Sequence, residues 1–134
     1  MFDWFDAPAR LSVQLSQQAA EDLGADYIHT GHILLGIRAG GDEVTTTALD
    51  EVGMPTFTPG PPTPPPKVHL PFNPEAKAAL QRARDESKAL GDHDVRPGHI
   101  LLAILPTEPA VAELAKSGID ANRLRERVME LLGH

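Results

Sequence analysis

Gly31-His32-Ile33-Leu34-Leu35 and Gly98-His99-Ile100-Leu101-Leu102 are one five-residue run written twice, 67 positions apart. The same shift lays residues 5–38 on residues 72–105 without a gap, matching Phe5 with Phe72, Ala9 with Ala76 and Leu23-Gly24 with Leu90-Gly91. A two-residue deletion then carries Leu49-Asp50-Glu51-Val52-Gly53 onto Leu114-Ala115-Lys116-Ser117-Gly118. Two copies of so short a unit bury too little surface apart, so they are expected to pack into one pseudo-symmetric domain over residues 1–134. Repeat one is placed at 1–53, a linker at 54–71 and repeat two at 72–134.

Each copy reads as helices, which makes the chain all-α with about seven of them. Asp6 and Asn73 are placed as N-caps, each with a proline in the first turn, and Gly24 and Gly91 as stops. The repeated run forms the second helix of each copy, with Thr30 as cap in the first and Pro97 in the first turn of the second. Third helices fall near 45–52 and 109–117. A fourth, in the second copy alone, is capped by Asp120 and carries Leu124, Val128, Leu131 and Leu132 on its apolar face. On the first helices, Ala9, Val13, Ser16 and Ala20 and their counterparts Ala76, Leu80, Ala83 and Ser87 mark the core side. Leu11 and Leu15 face Ala78 and Arg82 in the other copy, so they pack either under the linker or against a partner. In the linker, Pro55, Pro59, Pro61, Pro62, Pro64, Pro65, Pro66 and Pro71 forbid a helix and imply an extended stretch. It is either a stiff connector or a ligand for a proline-reading domain.

Composition narrows the function classes. The net charge is −7, which argues against a nucleic-acid binder, and no cysteine is present to serve as a thiolate nucleophile or zinc ligand. With aromatics at only 4 %, the core must be aliphatic. No apolar run approaches the ~18–20 residues a bilayer demands, and the first residues lack the basic start of a signal peptide. A cytoplasmic protein that does not enter a membrane is expected.

Two tandem units of Phe-x3-Ala, a glycine stop and a His-Ile-Leu-Leu helix resemble the Clp N-terminal repeat domain. The opening Met1-Phe2-Asp3-Trp4-Phe5 with Ala9-Arg10 is most similar to its ClpC branch. The resemblance implies a module that receives peptides, substrates and adaptor proteins for an unfoldase. It also implies a groove where the two first helices meet, which in the ClpC branch accepts cyclic peptide antibiotics. Carried over position by position, that groove is lined by Phe2, Arg10, Val13, Gln14, Gln17, Phe72, Lys77 and Leu80. Two phenylalanines supply apolar anchors and two cations supply donors for peptide carbonyls; alternatively, the phenylalanines merely close the core and the cations are solvated.

Three departures from the family pattern are present. No Gly-x4-Gly-Lys-Ser/Thr phosphate loop occurs in these residues, so the chain reads as a free-standing or excised module without cofactor. The proline-rich stretch stands where the family has a fourth helix in repeat one. Gly31 and Gly98 stand where ClpC carries the acids that pair with phosphorylated arginine, and a glycine offers no such acceptor.

Other chemistry finds little support. His29 and His32 lie at i, i+3, with His93 and His99 around the equivalent spot, a spacing metals use. The family, however, uses the repeated histidine structurally, and no metal site is assigned. Asp92 and Asp94 read as turn residues, and no nucleophile has a convincing His–acid partner. The leading expectation is therefore a non-catalytic binding module for a peptide, antibiotic or adaptor, acting as a decoy that protects a ClpC unfoldase. A regulator touching the unfoldase or its clients is the alternative; a small helical hydrolase or metal-dependent enzyme is the reading from another class.

Overall fold

The structure, a computed structural model, describes residues 3–60 and 70–133. Seven helices lie among them: α1 (Ala7–Asp22), α2 (Thr30–Gly40), α3 (Glu43–Glu51), α4 (Pro74–Ala89), α5 (Pro97–Ile104), α6 (Ala110–Ala115) and α7 (Ala121–Leu131). The chain is all-α, and α1–α3 and α4–α6 run as two repeats with α7 appended to the second. None of the helices is long and apolar enough to cross a membrane.

The helix starts follow from local chemistry. Asp6 and Asn73 accept the amides of Ala9 and Ala76, and Asp42 and Asp120 cap α3 and α7 in the same manner. Gly24 and Gly91 take positive φ just past α1 and α4, where a side chain would strain the backbone. Thr30 is not the cap of α2. It is the first helical residue, and the cap is His29. Thr30 is buried, and its Oγ1 instead accepts the amide of Ala110 at the start of α6, 3.2 Å away.

One aliphatic core runs through both repeats, drawing Ile33, Leu34 and Ile37 from α2, Ile100 to Ile104 from α5, and Leu124 and Val128 from α7. Small residues set its closest approach. At Gly36 of α2 an added Cβ would overlap the Ser12 carbonyl oxygen of α1, so this helix pair closes because the position has no side chain. In the second repeat the counterparts are Ala103 against Ala79 and Ala83, all buried.

The repeats are joined by exchange. Phe5 pairs with Val95 and Ile28 pairs with Phe72 in two isolated parallel bridges. The bonds are equivalent pair by pair: Asp6 N–H to Val95 O (3.0 Å) matches Asn73 N–H to Ile28 O (2.9 Å). Likewise Val95 N–H to Trp4 O (2.7 Å) matches Ile28 N–H to Pro71 O (2.8 Å). On the far side, Arg127 of α7 forks onto both carboxylate oxygens of Glu51 in α3.

Candidate functional site

Arg10, Val13, Gln14 and Gln17 follow each other at i, i+3, i+4 and i+7, so α1 carries them as one stripe. Arg10 and Gln14 are exposed, while Val13 and Gln17 are half-buried. Gln17 is held at both ends: its Oε1 accepts the amide of Leu70 at 3.1 Å and its Nε2 donates to Glu21 at 2.9 Å. That bond brings the end of the linker onto α1. Two residues later Phe72, half-buried, enters its bridge with Ile28. Gln17 and Phe72 thus share one corner between the repeats.

Lys77 is exposed on α4, at the position equivalent to Arg10. Leu80 departs from the expectation for the groove. It is only 1 % exposed, because the same helical turn that aligns it with Val13 points it into the aliphatic core. Phe2 lies outside the described residues, as do residues 61–69, which hold most of the linker prolines. Leu11 and Leu15 pack over Gly40 at the end of α2, and Leu11 remains 44 % exposed. Gly60 of the linker donates its amide to Asp22 at the end of α1.

Gly31 and Gly98 are buried in the first turns of α2 and α5. A Cβ at Gly31 would lie 2.9 Å from Cε1 of His29 and 3.4 Å from Cγ of Pro109; one at Gly98 would lie 3.0 Å from a methyl of Leu132. Both places where the resemblance implies an acid are therefore crowded by other side chains, which would have to shift to admit one.

The repeated histidines are structural. Nδ1 of His32 accepts the amide of His29 (3.1 Å), and Nδ1 of His99 accepts that of Arg96 (2.8 Å). Each closes the start of its helix as the acid of a capping box does. His99 Nε2 then meets Asp92 Oδ2 at 2.8 Å, and Arg96 reaches the same oxygen at 3.2 Å. Asp92 is therefore more than a turn residue. Burial raises its carboxyl, but the hydrogen bonds from His99 and Arg96 outweigh this and hold it below the usual range. Burial keeps His99 lowered despite Asp92, and burial together with the charge of His29 lowers His32 to about 4. Among the described residues no group of three metal-ligating side chains converges.

A residue not singled out in the sequence, Arg38, fixes the linker's departure. Its side chain is 4 % exposed and donates to Asp50 (2.6 Å), to Met54 O (2.8 Å) and to Pro55 O (3.3 Å). Its only advance sign was that the equivalent position, Leu105, is aliphatic.

Comparison with known proteins agrees with this architecture. The family described as the Clp repeat (R) N-terminal domain matches residues 70–134. The chaperone protein ClpB of Oceanobacillus iheyensis is 31 % identical over 144 residues, covering 99 % of this chain and 18 % of its own length. Several ClpC proteins match at 28–30 %. The chain spans less than a fifth of the curated relatives it matches. Among solved structures, the N-terminal domain of ClpD from Arabidopsis thaliana superposes with a TM-score of 0.75 at 20 % identity, covering 98 % of this chain and 99 % of that one. A complex of the ClpV N-domain with VipB peptide superposes with a TM-score of 0.61 at 17 % identity, covering 98 % and 88 %.

Proposed function

We propose that this chain, which belongs to the Clp N-terminal repeat family, is a non-catalytic cytoplasmic module that binds a peptide between its repeats, along the α1 stripe and the Phe72 corner. The observation that carries the reading is the asymmetry between the two kinds of inherited site. The positions for phosphoarginine-pairing acids are glycines crowded by His29, Pro109 and Leu132, whereas Arg10, Gln14 and Lys77 stay exposed and Val13, Gln17 and Phe72 are half-buried. Apolar floor with cationic and amide rims suits an aromatic-containing peptide whose carbonyls need donors. The peptide complex of the ClpV N-domain supports a peptide role for this fold. The finer reading is a decoy that sequesters cyclic peptide antibiotics and so protects a ClpC unfoldase.

The test is calorimetric titration of a cyclic, aromatic-containing peptide of the class that acts on ClpC domains. Micromolar or tighter binding is expected, weakened about tenfold or more by Phe2→Ala, since burying a Phe side chain contributes roughly 1.5–3 kcal/mol. Lys77→Ala should matter less, being an exposed rim cation. Absence of binding by the folded wild-type chain overturns the decoy reading. Capture of a purified unfoldase without any peptide would then put the regulator reading first, with the exposed Leu11 as its motivating feature.

A further inference from the structure

The first turn of α2 is closed by two histidines that cap each other. Nδ1 of His29 accepts the amides of Gly31 (3.1 Å) and His32 (3.4 Å), while Nδ1 of His32 accepts the amide of His29 (3.1 Å). Both Nδ1 atoms are acceptors, so in each neutral ring the proton sits on Nε2. The rings stack with centroids 3.6 Å apart and planes 14° from parallel. The same turn is the seat of α6: Thr30 Oγ1 accepts the amide of Ala110, and Pro109 lies over Gly31.

We propose that the His29–His32 pair is an acid-operated latch that holds the start of α2 against α6, and that proton uptake by the pair releases both. A proton added at either Nδ1 would aim an N–H at the amide it now accepts. Two stacked imidazolium rings would also repel at this distance. The second repeat is an internal contrast. There His99 keeps the same backbone bond, but Asp92 at Nε2 can neutralise an imidazolium, and Arg96 stands where the first repeat has His29. The position equivalent to Asp92 is Ala25, so the first repeat lacks that carboxylate.

Among the described residues, Glu113 of α6 favours the charged pair, and Tyr27 lies edge-on to His29 at 6.3 Å. Burial prevails at both histidines, joined at His32 by the charge of His29, and lowers both. The sign follows: a histidine depressed in the closed state stabilises that state above its unfolded value near 6.5, and this stability is lost as pH falls towards 4.

The test is amide hydrogen exchange on the full chain from pH 7.5 to 4.5, corrected for intrinsic exchange, with the histidine rings followed by NMR. Protection at Gly31, His32 and Ala110 is expected to fall roughly ten- to hundredfold over that range, while Ile100 in the second repeat, where Asp92 faces His99, loses less. His29→Asn retains a capping acceptor but leaves His32 alone to titrate, so its profile at Gly31 should be shallower than the wild type's. Ala25→Asp, which supplies the missing carboxylate, should raise the His32 midpoint and serves if His29→Asn does not fold. Equal pH profiles in wild type and His29→Asn, an unmoved His32 midpoint in Ala25→Asp, or His32 titrating in the wild type with Gly31 and Ala110 still protected would each overturn the proposal.

Discussion

Phe5 stands beside Val95 of the other repeat, and a shift of 67 positions turns this pair into Phe72 and Ile28, which form the second bridge. Each repeat thus lends its leading segment to its partner. Phe5 is buried, so Phe5→Ala should cost about 3–5 kcal/mol. Because the pairing crosses the seam, protection of α5 should fall together with that of α2. Denaturant unfolding with amide exchange measures this. Loss confined to the first repeat would show that the bridges do not couple the halves.

Gly36 predicts an overpacking penalty. A methyl there meets the Ser12 carbonyl and Ser16 Oγ, and the backbone oxygen cannot turn aside. Gly36→Ala should therefore cost about 1–3 kcal/mol despite the better helix propensity of alanine. Chemical denaturation should show the midpoint falling without a change of slope.

Restoring the acids should fail to restore phosphoarginine binding. Gly98→Glu must displace Leu132, and Gly31→Glu must displace the His29 ring that caps α2. Both variants should melt lower than the wild type and show no binding in titration with a phosphoarginine peptide. Pairing Gly31→Glu with His29→Ser, which frees the space and keeps a cap, should recover melting temperature relative to Gly31→Glu alone.

Arg38→Met should cost about 2–3 kcal/mol in denaturant unfolding, because it strips a buried guanidinium from Asp50 and from the carbonyls of Met54 and Pro55. Fluorescence from a probe on the linker should also change, since the chain's exit from α3 is no longer pinned. The corresponding change in the second repeat, Leu105→Met, should cost less than about 1.5 kcal/mol.

Asp92→Ala should destabilise by about 1–3 kcal/mol, since it leaves the buried Nε2–H of His99 without an acceptor. Asp92→Asn keeps an oxygen there and should lose less. With the native carboxyl held low, its contribution is present above the unfolded value near 3.8 and fades as pH falls below it. Thermal melts at pH 7 and pH 3 should therefore separate wild type from Asp92→Asn more at the higher pH.

Much of the fold was legible in the residues because the chain states it twice. The repeated Gly-His-Ile-Leu-Leu run, the Asp6 and Asn73 caps and the positive-φ glycines are local signals, each read within a few residues of itself. Thr30 has the composition of a cap, yet His29, a rarer capping residue, takes that place. The histidine works only because His32 answers it one turn later. Leu80 fits core and groove equally well by spacing, since helical periodicity gives a face but not what lies opposite.

The sequence by itself determined the all-α class, the two repeats and the absence of a phosphate loop in these residues, because composition, periodicity and self-similarity are properties of the chain before it folds. Tertiary structure alone decided that the leading segments are exchanged, that Leu80 faces inward, and that His29, Pro109 and Leu132 crowd Gly31 and Gly98. Apart from His29 beside Gly31, the partners in these contacts come from different elements or opposite repeats. Which side chain meets which is set by the angle at which packed helices cross, and no local pattern encodes that angle.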